Sequence, residues 1–245
     1  MTRERRSVVV DCVTGSALHG DCDAVVLVDV IMDATAIVSA VAQGRATFVA
    51  SSASAATALG RELQGPVLAA DDSEAWRPGF VRKSPAALAT CGDGRPLVVA
   101  CGAGQVVGSH STFRRGVYVT CFRNLTATVN YLQNHHSRVL VVDAPSDGEG
   151  RCEDQIGAAR VAAGLIAAGF EPGGFGTRET VERWAAVDLS LAAWGRSAEE
   201  LRRAGREGDL EFVLAHADDL DVVCSLVNGE AQALLAAPAA LSVIA

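Results

Sequence analysis

Hydrophobic residues fall in short solid blocks rather than alternating along the chain. Such blocks occupy 7–11, 24–30, 46–50, 67–70, 97–101, 116–121, 139–142 and 221–226, and most are rich in Val. Continuous β-branched runs of this length suit strands buried on both faces of a parallel sheet. Between them the spacing becomes helical and Ala-rich, predicting helices over 34–44, 51–63, 152–169, 177–194 and 197–214, with a further one after Cys121 capped by Asn124 or Thr126. Gly44 suits a position just past a helix end, and Gly65-Pro66 stops the second helix. Strands alternating with helices predict an α/β chain, a three-layer α/β/α fold with a largely parallel or mixed central sheet. One domain over 1–245 is expected, with room for a helical lobe at about 177–215.

One junction stands out, the stretch RVLVVDAPSDGEGRCEDQIGAARVAAGLIAAG at 138–169. A strand runs into a turn broken by Pro145, Gly148 and Gly150, and a helix follows from Cys152. Asp147, Glu149, Glu153 and Asp154 place four carboxylates at that turn. In open α/β sheets the carboxyl ends of the strands are where ligands bind. Two readings are open. First-turn Asp and Glu satisfy unpaired amides and the helix dipole; equally, one or two carboxylates plus water and substrate oxygens suffice for Mg²⁺. Asp29 ends the block at 24–30 and therefore belongs to the same sheet edge, as a helix cap or as a partner of Glu153 and Asp154, with Asp33 four residues on.

Composition narrows the class. A hydrophobic content of 49% with only 5% aromatic points to an Ala/Val/Leu core, and a chain of 245 residues needs no disulfide or metal to stabilise it. The net charge of −8 argues against nucleic acid as a partner, while leaving local cations able to serve a small anionic substrate. The seven cysteines form no CxxC pair and lie mostly in apolar runs, as reduced buried thiols do. The start MTRERRSVVVD has no apolar segment of signal-peptide length and no stretch approaches membrane-spanning length, so a cytoplasmic protein without a membrane partner is expected.

Other candidate chemistry is cationic. Arg77, Arg82 and Lys83 precede Ser84-Pro85, a grouping that suits a phosphate or sulfonate and equally a solvated loop. Gly102-Ala103-Gly104-Gln105 could present backbone amides to an anion, but it has neither P-loop nor dinucleotide-binding spacing. The five histidines show no metal-ligand spacing, and no G-x-S-x-G elbow is present.

Taken in order, these pieces resemble the 2-phosphosulfolactate phosphatase (ComB) family of Mg²⁺-dependent phosphatases, over roughly 24–235. A DVLRATT-like motif is matched by Asp29-Val30-Ile31-Met32-Asp33-Ala34-Thr35, and a GFDLGNSP-like loop by Gly79-Phe80-Val81-Arg82-Lys83-Ser84-Pro85. A TTNGT-like turn corresponds to the stretch ending Gly102-Ala103-Gly104-Gln105, and an SFLNA-like segment to Cys121-Phe122-Arg123-Asn124-Leu125. A GxFSLEDTLCAG-like stretch is similar to 150–158, and a DI-x-C-like strand to Asp221-Val222-Val223-Cys224. The chain departs from the pattern where Met32 replaces an arginine, where Lys83 replaces an asparagine, and in the TTNGT turn.

The resemblance implies a Mg²⁺-dependent phosphatase acting on a small, phosphorylated, acidic metabolite. Asp29, Glu153 and Asp154 would be catalytic and hold Mg²⁺, while Arg82, Lys83, Ser84, Arg123, Asn124 and Gly104 would bind the anionic substrate. A homodimer is compatible with this expectation. The departures keep two alternatives open: a lyase, cyclase or isomerase using the same carboxylates, or a binding protein without catalysis.

Overall fold

Eleven strands form one sheet in the structure, a computed structural model that describes residues 6–12, 22–71, 77–92, 94–101, 116–143 and 150–235. They are β1 (Ser7–Cys12), β2 (Ala24–Val28), β3 (Thr47–Ala50), β4 (Val67–Ala70), β5 (Phe80–Arg82), β6 (Leu97–Ala100), β7 (Val117–Thr120), β8 (Arg138–Asp143), β9 (Glu171–Pro172), β10 (Val222–Val227) and β11 (Glu230–Leu235). Their order across the sheet is β5-β4-β6-β3-β11-β10-β7-β2-β8-β1-β9. Every pairing is parallel except those made by β10 and β11. That antiparallel pair separates two parallel halves, β3–β6 on one side and β1, β2, β7, β8 and β9 on the other.

Among the described residues the helices are α1 (Asp33–Ala42), α2 (Ala53–Gly60), α3 (Pro85–Thr90), α4 (Leu125–His135), α5 (Cys152–Ala167), α6 (Gly174–Trp184), α7 (Arg196–Arg203) and α8 (Glu207–Ala215). Short 3₁₀ turns cover Phe122–Asn124 and Leu189–Trp194. The predicted continuous blocks are explained by layers on both faces of the sheet. Along β2, Val26 and Val28 face a core shared with α4, α5, α7 and α8. Val25 and Leu27 face the opposite core, shared with α1 and α3. The fold is the predicted three-layer α/β/α arrangement.

Several boundaries differ from expectation for identifiable reasons. The helix predicted over 177–194 ends at Trp184, and Asp188 accepts a hydrogen bond from the Ser190 N–H to start a separate 3₁₀ turn. Trp194, at the end of that turn, is exposed. The helix predicted over 197–214 breaks at Gly205, whose φ of 65° cannot continue a helix. Strand β5, helix α3 and strand β11 were not predicted as elements. No helix among the described residues is long and apolar enough to cross a membrane.

Candidate functional site

Strand β2 stops at Val28, and the next residues turn the chain into α1. The Asp29 carbonyl accepts the Ala34 N–H at 3.0 Å, and its Oδ1 accepts the Asp33 N–H at 3.3 Å. Inside this turn Met32 has φ 105° and ψ −78°, a left-handed conformation that costs a non-glycine residue roughly 1–3 kcal/mol.

Helix α5 brings its first turn against that segment. Asp154 Oδ1 accepts the Val30 N–H at 2.6 Å, so this carboxylate serves another element rather than its own helix end. Gly157, one turn on, makes the approach possible. A Cβ there would stand 2.8 Å from Val28 Cγ1 and 3.3 Å from Val30 Cγ2.

Asp29 and Asp154 share one electrostatic problem. Burial pushes both far above the usual carboxylate range. Asp33 raises Asp29 further while Lys83 pulls it down; Asp29, Glu153 and Asp143 all raise Asp154. A carboxylate that merely complemented the helix dipole would be stabilised in its charged form and shifted the other way.

Glu153 is buried beside them, its Oε2 3.4 Å from the Cys152 thiol and close to the backbone of Gly195. Burial and the Glu153 charge push that thiol up to about 12, so Cys152 is a hydrogen-bond donor and not a thiolate nucleophile. Among the described residues no three His, Cys, Asp or Glu side chains converge as a metal cage.

The predicted anion-binding residues scatter. Lys83, at the end of β5, is 1% exposed and lies between Asp33 and Asp71, the latter at 3.1 Å. Burial works against its charge, but Asp33 and Asp71 outweigh it and raise its pKa. In the structure it neutralises the cluster's own carboxylates. Ser84 caps α3, accepting from the Ala87 N–H at 3.1 Å, and donates to Asp209 at 2.5 Å.

Arg123 is committed elsewhere. Its Nε and Nη2 bond Asp219 at 2.9 and 2.6 Å and its Nη1 bonds Ser39 Oγ at 2.7 Å. It lines a cleft of about 290 Å³ with Gln43, Thr90 and His216, at the other end of α1 from Asp33. Asn124 is wholly buried, accepting from the Cys121 N–H at 3.0 Å and donating to the Val222 carbonyl at 3.1 Å. It ties β7 to β10. Among the described residues of this set, Arg82 alone is exposed. Gly104, with Asp147 and Glu149, lies outside the described residues.

With this geometry the sequence comparison is decisive. Residues 12–229 match the family described as 2-phosphosulpholactate phosphatase. The chain belongs to that family. Among curated proteins no relative matches it.

Membership in the 2-phosphosulpholactate phosphatase family makes the carboxyl-end cluster the focus, and two of its residues were not foreseen. Asp143, the last residue of β8, is 2% exposed and raises the pKa of Asp154. Asp71, just past β4, shares Lys83 with Asp33. Both were legible as strand-ending aspartates, by the rule that had singled out Asp29.

Proposed function

We propose that this phosphatase-family chain is a Mg²⁺-dependent phosphatase acting on a small, phosphorylated, acidic metabolite. The observation that supports it is the Asp29–Asp154 pair, two buried carboxylates whose charges oppose each other at the carboxyl ends of the strands. The donor set fits Mg²⁺, which takes one or two carboxylates and leaves its remaining positions to water and phosphate oxygens. Asp29 and Asp154 would hold it, with Glu153 at their side. Bound there, Mg²⁺ would neutralise phosphoryl charge and polarise the bond to the leaving group.

The chain's own residues prepare the geometry. Asp154 is oriented by the Val30 N–H, and Asp29 by the Asp33 N–H. Lys83 holds Asp33 and Asp71 in place and offsets part of the cluster's charge. Arg82, exposed beside Lys83, is the remaining candidate for attracting an anionic substrate.

The test is phosphate release from a panel of small phosphomonoesters, with Mg²⁺ and with EDTA. Release that requires Mg²⁺ is expected; no metal-dependent release from any member of the panel would sink the reading. The commitment of Lys83 and Arg123 to internal partners favours a second reading, in which Asp29 and Asp154 serve as acid and base in a lyase, cyclase or isomerase reaction. Substrate turnover without phosphate release would favour that one.

A further inference from the structure

Arg206 lies between α7 and α8, more than 170 residues along the chain from Met32, yet its guanidinium ends beside the turn that carries Asp29 and Asp33. It is 7% exposed. Nη2 donates to the Lys83 carbonyl at 2.7 Å and lies 3.3 Å from Met32 Sδ. Nε and Nη2 also bond Asp209 Oδ2, at 2.9 and 2.7 Å. Asp209 Oδ1 in turn accepts from Ser84 Oγ at 2.5 Å and from the Ala86 N–H at 3.2 Å, at the start of α3.

One side chain therefore touches both walls of the acidic cluster. On one side is Met32, the strained residue between the two aspartates. On the other is Lys83, whose ammonium pairs with Asp33 and Asp71. The Met32 carbonyl accepts the Ala36 N–H at 3.0 Å, a bond that anchors the first turn of α1 and leaves the Met32 side chain to be held by other contacts. Sparsely populated backbone conformations persist only where surrounding contacts over-determine them. Among the described residues, the Met32 side chain meets Arg206 and the core that α5 shares.

We propose that Arg206 is a positioning residue for the acidic site, holding the strained Met32 turn and the Lys83 backbone so that Asp29 and Asp33 keep their places. The role rests on the reading of the cluster as a Mg²⁺-dependent phosphatase centre. Arg206 touches no reacting atom; it acts through Met32 and Lys83. Arg206 meets Asp209 through two nitrogens, Nε and Nη2, while Nη2 also reaches the Lys83 carbonyl and the Met32 sulfur, a spread that the single nitrogen of a lysine ammonium cannot reproduce.

The experiment compares the full-length chain as wild type, Arg206→Met, Arg206→Lys, Met32→Gly and Met32→Gly/Arg206→Met. Mg²⁺ affinity is measured by calorimetry, kcat and KM by Mg²⁺-dependent phosphate release from whichever panel ester turns over, and folding by melting temperature. Arg206→Met is expected to lower kcat and Mg²⁺ affinity by about tenfold or more with KM little changed, as loss of an outer-shell partner does. Arg206→Lys should recover only part. Met32→Gly should recover much of the loss in the Arg206→Met background, since glycine adopts φ 105° without steric penalty.

An Arg206→Met chain that melts earlier but keeps wild-type kcat and Mg²⁺ affinity would overturn the role, leaving Arg206 a structural contact only. So would equal losses with and without Met32→Gly. If Arg206→Met does not fold, Arg206→Lys and the double variant carry the same comparison. A wild type that binds no Mg²⁺ and releases no phosphate overturns the phosphatase reading itself, and this role with it; a normal wild type confines any failure to Arg206.

Discussion

Helix α1 joins two regions that treat charge in opposite ways. At its N-terminal end Asp33 and Asp71 pair with Lys83, Asp29 feels the same ammonium, Asp143 and Glu153 crowd Asp154, and burial raises the pKa of Asp29 and Asp154. Toward its C-terminal end Ser39 bonds Arg123, whose fork closes on Asp219 and lowers that carboxyl below its usual value. One end keeps carboxylates where their charged form is penalised; the other pairs a carboxylate in the geometry that favours it. A fold selected for stability alone would not retain the first arrangement, because buried carboxylates without enough counter-charge cost free energy. The second has the geometry of a purely structural ion pair. The Arg123 that was expected to meet substrate belongs to that stabilising end.

The sharpest way to break the contrast is to remove charge from the strained end. Asp154→Asn keeps the oxygen that accepts the Val30 N–H and removes the buried charge. Its melting temperature without metal should equal or exceed that of the wild type, because like-charge repulsion is relieved. Mg²⁺-dependent phosphate release should fall at least about a hundredfold, beyond the range of outer-shell substitutions. The melting shift produced by Mg²⁺ should disappear as well, since it depends on affinity for the native state. An Asp154→Asn chain that is less stable yet keeps the full Mg²⁺ shift would return Asp154 to a structural role.

Next in size is Gly157→Ala. The added methyl would stand 2.8 Å from Val28 Cγ1 and must push α5 away from β2. Overpacking of this kind costs about 1–3 kcal/mol. The displacement also acts on the 2.6 Å bond from Val30 to Asp154, so activity should drop beyond the share that lost stability explains. Urea melts with kcat measured on the folded protein separate the two effects. A stability loss with unchanged kcat would show that the site does not depend on this approach.

How far the sequence foretold this comparison depends on how local each feature is. The parallel strands were legible because burial on both faces leaves a continuous apolar run, as in Val25 to Val28. Asp29 and Asp154 were placed at one edge by the strand-end rule alone. Strand β11 was missed although Asn228-Gly229, with φ of 52° and 84°, is a turn dipeptide of hairpins and follows a strand directly. Strand β5 has three residues, two of them exposed, too few for any period to register. The long-range contacts of Lys83, Arg123 and Arg206 were not local at all. Their partners Asp33, Asp219 and Met32 stand 50, 96 and 174 positions away in the chain. Only the finished topology brings them together.

A smaller effect tests the stabilising end. Asp219 is partly exposed, so its pair with Arg123 contributes about 1 kcal/mol or less. Because hydrogen bonds from Arg123 depress the folded pKa below 3.8, the contribution is fully present above the unfolded value and is lost as pH falls through the folded one. Asp219→Asn should therefore be less stable than wild type at pH 7, with the difference smaller at pH 3, below the unfolded value of about 3.9. Urea midpoints at the two pH values read this directly. A difference that is constant with pH would mean that Asp219 acts by shape rather than charge.

The smallest expected effect sits at the boundary of the strained end, in Cys152. A cysteine in the first turn of a helix normally has its thiolate favoured by the dipole, and a phosphatase with such a group invites the idea of a cysteine nucleophile. Here burial and the neighbouring Glu153 charge push the thiol up to about 12. Below that pH the protonated form dominates, and the thiolate needed for attack or alkylation becomes abundant only as pH rises toward it. Iodoacetamide at pH 8 should therefore leave Cys152 unmodified in the folded chain, read residue by residue by mass spectrometry. Cys152→Ser keeps a donor to Glu153 and should leave phosphate release unchanged and stability within about 1 kcal/mol. Rapid labelling of Cys152 at pH 8, or loss of turnover in Cys152→Ser, would show that Glu153 does not crowd the thiol as described. The expectation that sulfur takes no part at the strained end would then have to be redrawn.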